Sequence, residues 1–122
     1  MEISFTIPIE PRTKKNSQRF VRNGARYILL PSKAFEEYQE KAGWYIKGKG
    51  MRIESPVAVI GKFYMGTHRR VDLLNLLEAL CDVLVHYGVL KDDSSQIVVH
   101  HDGSRVLYDK ENPRTEVLIL EE

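Results

Sequence analysis

In EISFTIPI, apolar Ile3, Phe5 and Ile7 alternate with Ser4 and Thr6. That period predicts a half-buried strand, which Pro8 and Pro11 end. In QRFVRNGARYILL, Asn23-Gly24 stands between two strand-forming runs. The dipeptide accepts the positive φ angles of a two-residue turn, so a hairpin is expected. Beyond Pro31 the period changes. Ser32 can cap a helix in which Phe35, Tyr38, Ala42 and Ile46 recur at spacings of three and four, and Gly48 and Gly50 close it. SPVAVIGKFYM returns to period two, with Val57, Val59, Gly61, Phe63 and Met65 on one face, before Gly66 and Thr67 turn the chain. QIVVHH and TEVLIL read as two further strands. No linker, repeat or low-complexity segment divides residues 1–122. The series predicts one α/β domain with a mixed sheet of five or six strands and two principal helices.

The second helix is laid out by placing successive residues about 100° apart. Leu73, Leu76, Leu77, Leu80, Cys81, Val83, Leu84 and Tyr87 fill one broad arc, with Leu74 and Val85 at its edge. Asp72, Asn75, Glu78, Asp82 and His86 form the opposite stripe, which reads most simply as a solvated face. Asp72 stands where an N-cap belongs, a role worth about 1 kcal/mol. Arg69 and Arg70 beside it have no such simple structural use.

A chain of 122 residues with 43% hydrophobic and 29% charged positions has room for a core and is too apolar for a disordered tail. No apolar run is long enough to span a bilayer, and MEISFTIPIEP lacks the form of a leader, so a cytoplasmic address is expected. Cys81 has no second thiol for a disulfide or a zinc site and reads as a small core residue. The net charge of +1 conceals an asymmetry: residues 1–70 carry 14 Lys and Arg against 6 Asp and Glu, while residues 71–122 carry 4 against 11. A basic half joined to an acidic half suggests a polyanion partner unless folding intermixes the two. Arg12, Lys14, Lys15, Arg19, Arg22 and Arg26 fall within fifteen residues, interleaved with Asn16, Ser17 and Gln18. Such side chains hold phosphates without reading bases, and Arg69 and Arg70 extend the set. A solvated hairpin is the plainer alternative, with Phe20 or Tyr27 packed inward or wedged into DNA.

The KKNSQRF…NGARYILLPSKAFEEYQ segment, the DLLNLLEALCDVL helix and the following GVLKDDSSQIV resemble the RusA family of Holliday junction resolvases, common in prophages. The resemblance spans roughly residues 5 to 120. It implies a homodimeric, magnesium-dependent endonuclease, with manganese as a substitute ion, that binds four-way DNA junctions and nicks two strands symmetrically. The family's catalytic, metal-holding carboxylates carry over onto Asp72 and Asp93, with Asp92 beside the latter.

Two positions depart from the family pattern. Where an Asp-x-Asp-Asn start is usual, this chain has Leu74, and Glu78 stands where a lysine is often found. Magnesium keeps several waters, so two carboxylates and phosphate oxygens can suffice. Glu78 and Asp82 lie about 9 and 15 Å along the helix from Asp72 and are poor substitutes for the missing acid. Asp102 is the remaining candidate ligand, although Asp102-Gly103 is also a hairpin signal. His100 and His101, adjacent on a strand, point to opposite faces and form no paired site. The helix runs about 22 Å and the steps to Asp93 return at most about 17 Å, so Asp93 approaches Asp72 only if residues 89–91 double back. A parallel crossover would instead carry Asp102 toward Asp72. Two further readings stay open: a junction-binding module that has lost catalysis through Leu74, and a small dimeric protein with no DNA partner.

Overall fold

The computed structural model describes residues 1–14, 19–30, 32–46 and 52–122, those from 19 to 21 by their backbone alone. The elements in chain order are β1 (Glu2–Ile7), β2 (Arg19–Asn23), β3 (Arg26–Leu30), α1 (Lys33–Ile46), β4 (Val57–Met65), α2 (Leu73–His86), β5 (Val98–His100), β6 (Arg105–Tyr108) and β7 (Arg114–Glu121). β1 pairs antiparallel with β7, β7 antiparallel with β4, and β4 parallel with both β5 and β6, giving a five-stranded mixed sheet. β2 and β3 form a separate two-stranded sheet.

The period-two pattern of β4 does what its sequence predicts: Val57, Val59, Gly61, Phe63 and Met65 are all buried, while Lys62 is exposed. They meet Phe35, Tyr38, Ala42 and Ile46 of α1 and Leu76, Leu80 and Leu84 of α2 in one core. Each fully buried Leu or Ile in this layer contributes about 1.5–3 kcal/mol. Gly61 leaves room for that packing, because a Cβ there would lie 2.7 Å from the Phe63 ring and 3.1 Å from Leu80 Cδ2. Ser32 caps α1 as expected, its Oγ accepting from Phe35 N at 3.1 Å; Gly48 and Gly50, the expected stop, lie outside the described residues.

The structure corrects three details of the sequence reading. Asn23 pairs with Arg26, so the hairpin turn consists of Gly24 and Ala25, with Gly24 taking the positive φ of 66°. Asp102-Gly103 makes no hairpin. β5 and β6 are successive pieces of one edge, both parallel to β4, and the edge between His100 and Arg105 holds one residue more than β4 does between Ala58 and Lys62. Two side chains complete the ladder across that gap: His101 Nδ1 donates to Val59 O at 2.7 Å, and Ser104 Oγ accepts from Gly61 N at 3.0 Å. A hairpin and a bulged parallel edge can share the same local turn chemistry, and only pairing with β4 distinguishes them. β6, missing from the sequence reading, is a four-residue edge strand with one half-buried position, too short to show a period.

Candidate functional site

The connection from β4 to α2 crosses one end of the sheet and delivers Asp72 as the helix N-cap. Its Oδ1 accepts from Leu74 N at 2.9 Å, which is the capping role, and the carboxylate is otherwise exposed. Leu74, in the first turn of the helix, is 72% exposed.

At the far end, α2 stops in a Schellman arrangement: Gly88 N donates to Val85 O and Val89 N to Leu84 O. Gly88 has a φ of 77°, open to glycine at little cost. The returning segment is pinned by Ile53 N to Val89 O and Lys91 N to Ile53 O, around a parallel bridge between Ile53 and Leu90. The chain therefore doubles back after α2, as an approach of Asp93 toward the helix requires. Asp92 Oδ1 accepts from Ser94 N at 2.6 Å, and these hydrogen bonds to Ser94 hold its carboxyl below the usual range, so it stays charged while shaping the turn.

Burial raises the Cys81 thiol to about 12, reinforced by the negative charges of Asp93 and Asp82. Asp93 thus lies in electrostatic reach of mid-helix, nine residues beyond Asp72, or about 13.5 Å along the axis. Cys81 stays a protonated core thiol and offers no thiolate nucleophile. Asp82, assigned by the helical wheel to a solvated stripe, is half-buried instead. Lys14 Nζ approaches its Oδ2 to 2.7 Å, at an angle that leaves this buried oxygen without a hydrogen bond. Lys14 is tied to Asp82 and Asp72 to its own helix start, while Asp93 is linked to α2 through its charge on Cys81. Among the described residues, no three His, Cys, Asp or Glu side chains gather as a group that could hold a metal ion.

Asp102 sits mid-edge. Its neighbours His101 and Ser104 bond to Val59 and Gly61, which puts it level with Ile60, about 16 Å along β4 from Met65. The crossover thus brings Tyr108, rather than Asp102, to the end of β4 that leads to Asp72: Tyr108 pairs with Met65. Asp102 N donates to His100 Nδ1, and His100 Nε2 contacts Glu122.

Of the basic residues, Arg69 and Arg70 line a cleft of about 630 Å³ together with Arg12 and Lys110. Its one lining carboxylate among the described residues, Glu10, accepts from Gly66 N at 2.9 and 3.3 Å. Asp109 and Arg114 brace the loop that carries Lys110, paired at 2.8 Å. Nothing in sequence marks Lys110 as part of this set, since it comes from the acidic half of the chain. Arg22 and Arg26 are exposed on the β2–β3 hairpin, where Arg22 Nε donates to Gly24 O at 3.0 Å and Tyr27 is 71% exposed. Lys15 and Asn16 lie outside the described residues, as do the side chains of Arg19 and Phe20.

Among known families, the model described as Endodeoxyribonuclease RusA matches residues 8–120. No curated protein matches the chain.

Proposed function

The chain belongs to the RusA family of endodeoxyribonucleases, and from that premise we propose that it is a magnesium-dependent endonuclease that nicks four-way or other branched DNA symmetrically as a homodimer. The observation that carries this reading is the return of the chain alongside α2 after Gly88, which brings the Asp92-Asp93 loop close enough for the charge of Asp93 to act on Cys81 of that helix.

Magnesium takes oxygen ligands and keeps several waters. The exposed carboxylates of Asp72 and Asp93 are donors of that class, and the buried Asp82 Oδ2, 2.7 Å from Lys14 Nζ and without a hydrogen bond among the described residues, marks ground where a cation is favoured. Asp72 and Asp93, the latter with Asp92 fixing its turn, would each offer a carboxylate, and the two would share one ion only where the loop carries Asp93 toward the helix start; Asp102 stands apart. Bound there, magnesium would supply a water of lowered pKa and positive charge beside the phosphate. Lys14, oriented by Asp82, supplies positive charge toward a leaving oxygen, and Arg69 and Arg70 hold the flanking phosphates.

A cleavage assay on a synthetic four-way junction tests this. Nicks should require magnesium, and Asp72→Asn and Asp93→Asn should bind the junction without cutting it. Undiminished cutting by Asp72→Asn removes that residue from the site. Leu74→Asp loses little packing, because Leu74 is exposed, and an acid in the first helical turn is favoured by about 0.3–1 kcal/mol. It should raise magnesium affinity in calorimetric titration; an unchanged or weaker affinity means another group already fills that place. Junction binding with no nicks under any condition would make the chain a binding module instead.

A further inference from the structure

Next to the basic cleft, and sharing Met65, Thr67, Arg69, Arg70 and Val71 with it, runs a groove of about 340 Å³ floored by β6. On its wall the rings of His68 and Tyr108 stack with centroids 3.8 Å apart and planes 25° from parallel. Neither ring is in the core: His68 is exposed, and Tyr108 is 44% exposed. Tyr108 is anchored by its strand, being registered against Met65 on β4 with Asp109 N donating to Met65 O at 2.9 Å, and His68 stacks on it from the connection that follows β4. Fixed aromatic surface beside a cationic groove suits a strand whose bases have left the duplex stack. Every base has a π face to lay on a ring, and the phosphates on either side meet the cations. A paired base inside a duplex arm has no such free face. The point of branching, where stacking is interrupted, does.

We propose that the His68–Tyr108 pair is a stacking platform for an unpaired base at the branch of a DNA junction, with the adjoining phosphates of that strand held by Arg12, Arg69, Arg70 and Lys110. This rests on the junction reading above and adds a part to it: the platform selects branched over linear DNA, whereas the cleft cations bind either. The wall of the groove runs through Arg70 and Val71 directly into Asp72, so a base seated on Tyr108 sets which phosphate is presented to the acids.

The test uses the full chain without magnesium, so that no strand is cut, and a four-way junction carrying 2-aminopurine at the branch, with a linear duplex of the same label as control. Wild-type protein should quench the label in the junction. Tyr108→Leu, which keeps an apolar side chain but removes the ring, should abolish the quench and weaken junction binding about 5- to 150-fold, the range for losing one stacked base. Tyr108→Phe should retain both. Duplex binding should change less than about twofold, because it is carried by phosphate contacts. His68→Ala, in the connection outside any strand, should lower the quench without disturbing β6, and circular dichroism checks that each variant is folded. Unchanged quench and affinity in folded Tyr108→Leu overturn the platform. So does an equal loss on junction and duplex, or a Tyr108→Phe as weak as Tyr108→Leu. Since the readout is binding without metal, a platform effect in a protein that never nicks would sink the enzyme reading alone, and nicking with no platform effect would sink only this proposal.

Discussion

Cys81 and Tyr38 show how much of a side chain's chemistry is set by what surrounds it. Burial raises the Cys81 thiol to about 12 from an ordinary 9.0, with Asp93 and Asp82 adding to the effect. Burial likewise raises the Tyr38 phenol to about 12 from 10.0, against a smaller lowering by the Thr115 hydroxyl. Both groups are neutral when protonated, and the folded chain keeps them so where an unfolded chain releases the protons. The stability this provides is complete below about pH 9 and drains as pH rises from there toward about 12. The thermal midpoint should therefore fall steeply above about pH 9. Cys81→Ala should start lower, through lost packing, yet fall less across the same range, so that the two curves converge. Parallel curves would show that the thiol keeps an ordinary pKa in the fold.

At the level of elements, the end of α2 decides where the acidic loop goes. Gly88 has nothing within 4 Å of the position a Cβ would take, so a substitution there costs conformation rather than contact. With φ at 77°, Gly88→Ala should lose about 1–2 kcal/mol in chemical denaturation, and Gly88→Asn less, because asparagine accepts the left-handed region more readily. If Ala and Asn prove equal to glycine, the Schellman turn does not hold the loop. Caps and turns were written more openly in the sequence than the path of that loop. Asp72 announces a cap, and the Asn-Gly of the hairpin announces a turn, although the turn fell one residue later because pairing of Asn23 with Arg26 takes Asn23 into the strand.

For the whole molecule, the question is where the positive charge collects. The cleft draws Arg12, Arg69 and Arg70 from the basic half and Lys110 from the acidic half, while Arg22 and Arg26 ride on a separate sheet. If both surfaces track phosphates, the double variants Arg12→Ala/Lys110→Ala and Arg22→Ala/Arg26→Ala should each flatten the dependence of log affinity on log salt by about two units. Exposed substitutions of this kind usually change stability by less than about 0.5 kcal/mol, so folding should survive. Junction titrations at several salt concentrations measure the slope, and an unchanged slope in a folded pair variant would remove that surface from the DNA track.

Periodicity alone determined the α/β class, both helices with their Ser32 and Asp72 caps, and the buried face of β4, because each follows from residues within a turn or two of one another. Motif spacing likewise pointed to the family through the α2 start and the Asp92-Asp93 loop. Tertiary structure decided what depends on partners far apart in the chain. It turned Asp102-Gly103 from a hairpin into a bulge, because β4 runs beside both halves of that edge. It drew Asp82 off the solvated stripe by bringing Lys14 against it from 68 residues away. It also set Tyr108 on His68 and brought Lys110 into the cleft that Arg12 lines. A local pattern records which way a side chain points from its own element. What it meets there is fixed by packing between elements, and the chemistry of a site is made of those meetings.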